Sequence, residues 1–275
     1  MSDISRKLIA LDLDGTTLND HAQISPRTRA AISAAVKEGC IVSIVTGRPN
    51  RLSEDLYDDL NLKTPMINFN GNLGILPHNQ WEREYQYTID KTIVMELLAN
   101  SKKLGLNLIA VEGRDLYLAN RGITSGFGFF PSTLQSNQVL SHQSLVDNPI
   151  SITVQVDQPG QKAALMDYVL HQFGDQVEVA PWGGPHPIVE IATKGIHKST
   201  GLKFLADYYG ILQQDIIAFG DEANDTSMIK YAGTGVAMKN AIIPIKQTAD
   251  DITEFTNDQD GVARYLEDKL NLAVG

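Results

Sequence analysis

The order in which apolar runs follow one another constrains this chain more than any other feature. An apolar strand, 7–14, comes first. A helix follows, with Ser25 as its cap, Pro26 at its first position and Gly39 as its stop. A second strand, 41–45, ends at Thr46-Gly47-Arg48, and a polar helix over 51–60 leads to a third strand, 66–69. This β-α-β-α-β order implies parallel strands joined by right-handed crossovers.

The alternation then breaks. From about 74 to 191 the pattern gives strands near 106–111, 116–119, 150–156, 177–180 and 188–191, with only two helices, 91–104 and 161–173. Asp90 and Gly105 suit the start and stop of the first of these helices. Weak periodicity leaves 122–148 unassigned, and the glycines of Gly122 to Gly128 lack the strand-to-helix setting of a nucleotide fingerprint. After Lys194 the α/β order resumes: helix 198–209, strand 216–219, short helix 224–231, strand 236–238 and helix 262–270. One α/β core is therefore split around an insertion. The expected boundaries are 1–80 and 193–275 for the core and 81–192 for the inserted domain.

Composition narrows the partners. Hydrophobic residues make up 43% and charged residues 20%, as in a soluble globular chain. The net charge of −10 and the lack of any Lys/Arg run argue against nucleic acid, and any anionic substrate needs a local cation. No apolar run is long enough to span a bilayer and no signal peptide is visible, so a cytoplasmic setting with no membrane association is expected. The single cysteine, Cys40, fits a small core residue at a strand start. The six histidines show no metal-ligand spacing. No obligate protein partner is inferred.

Open parallel sheets bind ligands at the carboxyl ends of their strands. Here those ends carry Asp12 and Asp14, Thr46, Asn70 and Asp221. Alternate residues of a strand share a face, so the Asp12 and Asp14 carboxylates are expected to crowd, with Asp221 and Asp225 adding charge nearby. A hard dication, Mg2+ above all, would relieve that crowding. Lys198 opens a helix, where the macrodipole disfavours a cation. It is either a solvated surface lysine or a group that holds a phosphate oxygen beside the acidic cluster. Thr46 and Gly47 offer a hydroxyl and backbone N–H groups to a phosphate oxygen, though a Thr-Gly turn is also an ordinary loop.

Taken together, Asp12-Leu13-Asp14-Gly15-Thr16, Ser43-Ile44-Val45-Thr46-Gly47-Arg48, Lys194-Gly195-Ile196-His197-Lys198 and Gly220-Asp221-Glu222-Ala223-Asn224-Asp225 resemble the four signatures of the haloacid dehalogenase superfamily, in order. Asn70-Gly71 and Ala237-Met238-Lys239-Asn240-Ala241 extend the likeness toward its Cof-like sugar-phosphatase group. The resemblance implies an α/β fold with a doubly wound, Rossmann-like parallel sheet and an inserted α/β cap domain. It implies a phosphatase acting on small phosphorylated metabolites. Asp12 would be the nucleophile, forming an aspartyl-phosphate, and Asp14 the acid and then the base. Asp12, Asp14 (through its backbone carbonyl), Asp221 and Asp225 would hold or order Mg2+ and its water. Thr46, Gly47, Lys198 and Asn224 would grip or support the phosphoryl group.

In the cap, Trp182 or His186 of the turn-rich stretch 181–187 is expected to face the substrate, against the plainer reading of a surface turn with a half-buried tryptophan. Two other functions keep the same motifs: a phosphomutase acting on a hexose phosphate, and a non-catalytic phospho-ligand sensor. The paired aspartates speak against the sensor.

Overall fold

Leu8–Leu11 lies between two neighbours in a five-stranded, all-parallel sheet. The order is Asp251–Ile252, Thr234–Ala237, Ile216–Gly220, Leu8–Leu11, Ile41–Ile44. This is the computed structural model of the chain, and it describes residues 6–123, 129–182 and 186–273. Leu8, Ala10, Ile216 and Ala218 cluster with Leu202, Leu205, Ala206 and Met228 of helices Lys198–Tyr209 and Thr226–Tyr231. The alternate residue Phe219 meets Tyr265 of helix Gly261–Leu270 edge to face at 5.3 Å. With helices on both faces, no position of Leu8–Leu11 can be polar, which is why the strand reads as an unbroken apolar run. The bridge Val45↔Ile67 carries the parallel pattern on toward Met66–Asn68.

Local signals set most element ends. Ser25 Oγ accepts the Thr28 N–H at 3.0 Å, capping helix Pro26–Lys37. Several expected elements differ: the 224–231 helix is a 3-10 turn, Ala223–Asp225, followed by helix Thr226–Tyr231, the 236–238 strand is Thr234–Ala237, and three more have a local cause. The first strand stops at Leu11 rather than running to Asp14, because Gly15 at φ 69 turns the chain. The 51–60 helix is a 3-10 turn, Asn50–Leu52, followed by a short helix, Glu54–Asp59. The 91–104 helix breaks at Asn100, whose amide donates back to the Glu96 carbonyl at 3.0 Å, leaving Lys91–Ala99 and Ser101–Leu104.

The chain divides into two units, one of Met1–Tyr85 with His197–Gly275 and one of Gln86–Ile196. The second holds a five-stranded antiparallel sheet in the order Tyr117–Ala119, Leu106–Glu112, Ser151–Val156, Ile188–Thr193, Val177–Pro181. One face, with Ile109, Val111, Ile152, Val154, Val189 and Ile191, packs on the helices. In the previously unassigned stretch a 3-10 turn forms at Ser136–Gln138. Residues 124–128 of the glycine-rich segment lie outside the described residues.

The other face of that sheet carries Glu112, Ser151, Thr153 and Glu190, placed together by the register Glu112↔Ser151 and Thr153↔Glu190. Burial pushes the Glu190 carboxyl from its ordinary 4.5 up to about 7; the Glu112 charge adds to this, and a Ser151 hydrogen bond of 3.3 Å opposes it. An unfolded chain therefore loses this proton at a lower pH than the folded one. Stability falls as pH rises from 4.5 through about 7. Glu190→Gln should flatten that slope. Urea unfolding at either end of the window should show it recovering on the order of 2 kcal/mol at the alkaline end, a figure lowered for residual solvent contact.

Candidate active site

The carboxyl ends of two adjacent parallel strands, Leu8–Leu11 and Ile216–Gly220, deliver the acidic residues. Asp12 follows Leu11, with its N–H on the Phe219 carbonyl at 3.3 Å. Asp221 follows Gly220, and Asp225 comes one 3-10 turn later, at the entrance to helix Thr226–Tyr231. Asp12, Asp221 and Asp225 are buried, and each offers an oxygen within 4.8 Å of the others. Thr16 Oγ1 donates to Asp221 at 3.1 Å. Asp225 Oδ2 accepts the backbone N–H groups of Asp221 and Glu222 at 2.9 and 3.1 Å. The tight loop before Thr16 requires glycine: a Cβ on Gly15 would stand 2.2 Å from an Asp221 oxygen.

Lys198 lies at the centre of this cluster, not on the surface. Its side chain has no solvent exposure, and its Nζ donates to Asp12 Oδ1 at 2.5 Å and to Asp225 Oδ1 at 2.6 Å. The two carboxylates outweigh the cost of burying the ammonium and raise its pKa, so the lysine stays charged. Burial and the Asp225 charge push the Asp12 carboxyl well above its usual range despite Lys198. The same two causes lift Asp221 to about 7. One cation for three buried carboxylates leaves the pocket short of positive charge.

Asp14 does not share that crowding. The turn after Asp12 leaves its side chain 59% exposed, and Arg48 takes both of its oxygens: Nε to Oδ2 at 2.7 Å and Nη2 to Oδ1 at 2.5 Å. The crowding expected of the Asp12–Asp14 pair is thus found instead among Asp12, Asp221 and Asp225. A third group lies beside it. Thr46 Oγ1 accepts the Arg48 N–H at 3.1 Å, Asn70 donates its N–H to the Thr46 carbonyl at 3.1 Å, and Asn224 Nδ2 donates to Asn70 Oδ1 at 2.9 Å. A Cβ on Gly47 would come within 3.0 Å of that Asn70 oxygen, so the two amides close over bare backbone.

The same architecture recurs in known proteins. A sequence model of haloacid dehalogenase-like hydrolases matches residues 9–266. This chain belongs to that family. The phosphatase is 33% identical over 268 residues to the 5-amino-6-(5-phospho-D-ribitylamino)uracil phosphatase YitU of Bacillus subtilis, covering 96% of this chain and 98% of the relative. It is 32% identical over 265 residues to YcsE, a phosphatase of the same name and organism, with 96% of each covered. Among solved structures, a haloacid dehalogenase-like hydrolase from Bacteroides thetaiotaomicron superposes with a TM-score of 0.81 at 26% identity, covering 96% of this chain and 99% of the other. The chain is accordingly a phosphoric monoester hydrolase of this family.

Two side chains of the phosphatase's pocket carry more than the sequence reading gave them. Arg48 closes the second signature, 43–48, and the need for a local cation in so acidic a chain was the available signal. Asn240 donates to the Gly15 carbonyl at 2.7 Å and accepts the Asn257 N–H at 3.0 Å, bracing the turn that carries Asp14. Its stretch, 237–241, was part of the family likeness, but nothing in the sequence gave Asn240 this role.

In the second unit of the phosphatase, Trp182 lies against Phe129 at 4.8 Å and is stacked on Phe130 at 5.8 Å. The His186 carbonyl accepts the Lys162 ammonium at 3.1 Å. Residues 183–185 between them lie outside the described residues. Among the described residues no helix is long and apolar enough to cross a membrane.

Proposed function

We propose that this phosphatase hydrolyses sugar or sugar-alcohol phosphates and related small metabolites, with Mg2+, through an aspartyl-phosphate on Asp12. The observation that carries the reading is the fully buried Lys198 held between Asp12 and Asp225, with Asp221 alongside. A lysine in that place fixes a carboxylate oxygen while leaving the pocket in need of more positive charge. The donor set, all carboxylate and carbonyl oxygen, suits a hard dication rather than a soft one. Asp12, Asp221, Asp225 and the Asp14 carbonyl are the groups to hold or order it. Bound there, it would supply Lewis-acid stabilisation of the phosphoryl charge.

The remaining chemistry belongs to the chain. Asp12 attacks phosphorus as the ester P–O bond breaks, and Asp14 gives its proton to the departing oxygen. Asp14 then takes a proton from the water that displaces Asp12, releasing inorganic phosphate. Thr46, the Gly47 backbone and Lys198 hold the phosphoryl oxygens, and Asn224, tied to Asn70, keeps that end of the pocket in register. The unit Gln86–Ile196 serves as the substrate-selecting cap, with Trp182 and His186 as candidate contacts.

The named activity of the two Bacillus relatives makes 5-amino-6-(5-phospho-D-ribitylamino)uracil the first substrate to try, ahead of hexose phosphates. Phosphate release across such a panel should require Mg2+ and fall by at least about 100-fold in excess chelator. A Mg2+-dependent rise in melting temperature, as binding to the folded state requires, should accompany it. Full turnover in chelator would refute the metal requirement. Accumulation of an isomeric sugar phosphate in place of inorganic phosphate would mark a mutase.

A further inference from the structure

The Arg48–Asp14 pair joins a largely buried cation to an exposed carboxylate. The Arg48 side chain is only 16% exposed, against 59% for Asp14. Every part of Arg48 is tied down: its N–H donates to Thr46 Oγ1, its Nη1 to the Leu52 carbonyl at 3.3 Å, and its own carbonyl accepts Asn68 Nδ2 at 3.1 Å and the Phe69 N–H at 3.2 Å. Asp14 sits on a turn whose following residue, Gly15, is held by Asn240. A rigid guanidinium fork therefore grips the one carboxylate of the pocket that would otherwise be free to rotate. Paired N–H···O bonds of this kind fix orientation as well as distance, which a lysine cannot do.

We infer that Arg48 is the positioning residue for Asp14, holding its carboxylate in the resting enzyme through both oxygens and setting the angle from which one oxygen is presented to the departing group and then to water. The inference rests on the roles given above to Asp12 and Asp14. Arg48 also touches Thr46 through its backbone N–H, so one residue borders both the phosphoryl grip and the proton-transfer group. For Asp14 to act as the acid, one guanidinium N–H must release its oxygen, which takes up a proton from solvent before giving it to the departing oxygen, while the other N–H keeps hold, so the fork works as a pivot and not as a lock.

The consequence separates two kinds of ester. The leaving oxygen of an alkyl phosphate needs a proton as it departs, whereas p-nitrophenolate leaves without one. With Arg48→Ala, kcat on the alkyl ester that the wild type uses best should fall about 100-fold, the order of a positioned acid or base, with KM moving less than about threefold. With p-nitrophenyl phosphate the first turnover, read as a burst of p-nitrophenolate, should lose less than about fivefold, and the slower second step should then limit the rate. Millimolar guanidinium should rescue the alkyl-ester rate of Arg48→Ala several-fold and leave Asp14→Asn inert. Arg48→Lys, with no fork, should stay closer to Ala than to wild type. Rescue by guanidinium also reports that the Ala variant is folded.

Equal losses on both esters in the first turnover, or a raised KM at unchanged kcat, would show that Arg48 grips the substrate anion and would overturn the inference. So would an Arg48→Ala variant as active as the wild type, which leaves the phosphatase reading intact. A wild type that releases no phosphate from either ester would remove that reading and the inference together.

Discussion

Asp12→Asn is expected to lower kcat by about four orders of magnitude or more while the protein stays fully folded, because an amide cannot displace an alkoxide from phosphorus. The stability side has a definite sign. Asp12 is buried, is pushed toward its protonated form by burial and by Asp225, and shares Lys198 with Asp225 while Asp221 lies alongside. Asparagine keeps the Oδ1 that accepts from Lys198 but removes a charge from the crowd. In chelator, the variant should therefore melt at or above the wild-type temperature. A stable but inactive protein with weakened Mg2+ binding is the expected pattern. Calorimetry with a phosphate-release assay reads both halves, and appreciable turnover by the variant would displace Asp12 from its role.

Lys198→Met should do the reverse on stability and the same on rate. Methionine fills much of the aliphatic stem but leaves Asp12 and Asp225 buried with no cation between them. Breaking a buried pair from one side costs about 3–5 kcal/mol, so at this chain length the melting temperature should drop on the order of 10 °C. Mg2+ should recover part of that loss, since it supplies the missing charge. If Lys198 holds the phosphoryl oxygens as proposed, the rate should fall at least about 100-fold. A melting temperature unmoved by the substitution would mean that the cluster is neutral without Lys198.

The core was legible because parallel strands buried on both faces leave an unmistakable record, as Leu8–Leu11 and Ile216–Gly220 do. Polar residues stand where such runs stop, among them Asp12, Thr46 and Asp221, at the sheet edge where a ligand is expected. What sequence could not carry was direction. Strand periodicity put Asp12 and Asp14 on one face, yet Gly15 turns the chain and sends Asp14 to Arg48. The burial of Lys198 was equally invisible, because a lysine at a helix start looks alike in water and in a salt-bridged interior. Helix ends were hidden where single side chains decide them, as at Asn100.

Leu8–Leu11 pairs on one side with Ile41–Ile44, close by in sequence, and on the other with Ile216–Gly220, some two hundred residues on. During synthesis Leu8–Leu11 can recruit its first neighbour early, but its second edge stays bare until some two hundred further residues have emerged. Such an unpaired apolar edge invites association with other chains, and closing it requires a long, entropically slow loop. Lys198, Asp221 and Asp225 arrive with the late segment, so Asp12 is translated long before anything can activate it. On the mechanism proposed above, a half-made chain would be chemically silent until Ile216–Gly220 docks and brings Asp221 and Asp225 to Asp12.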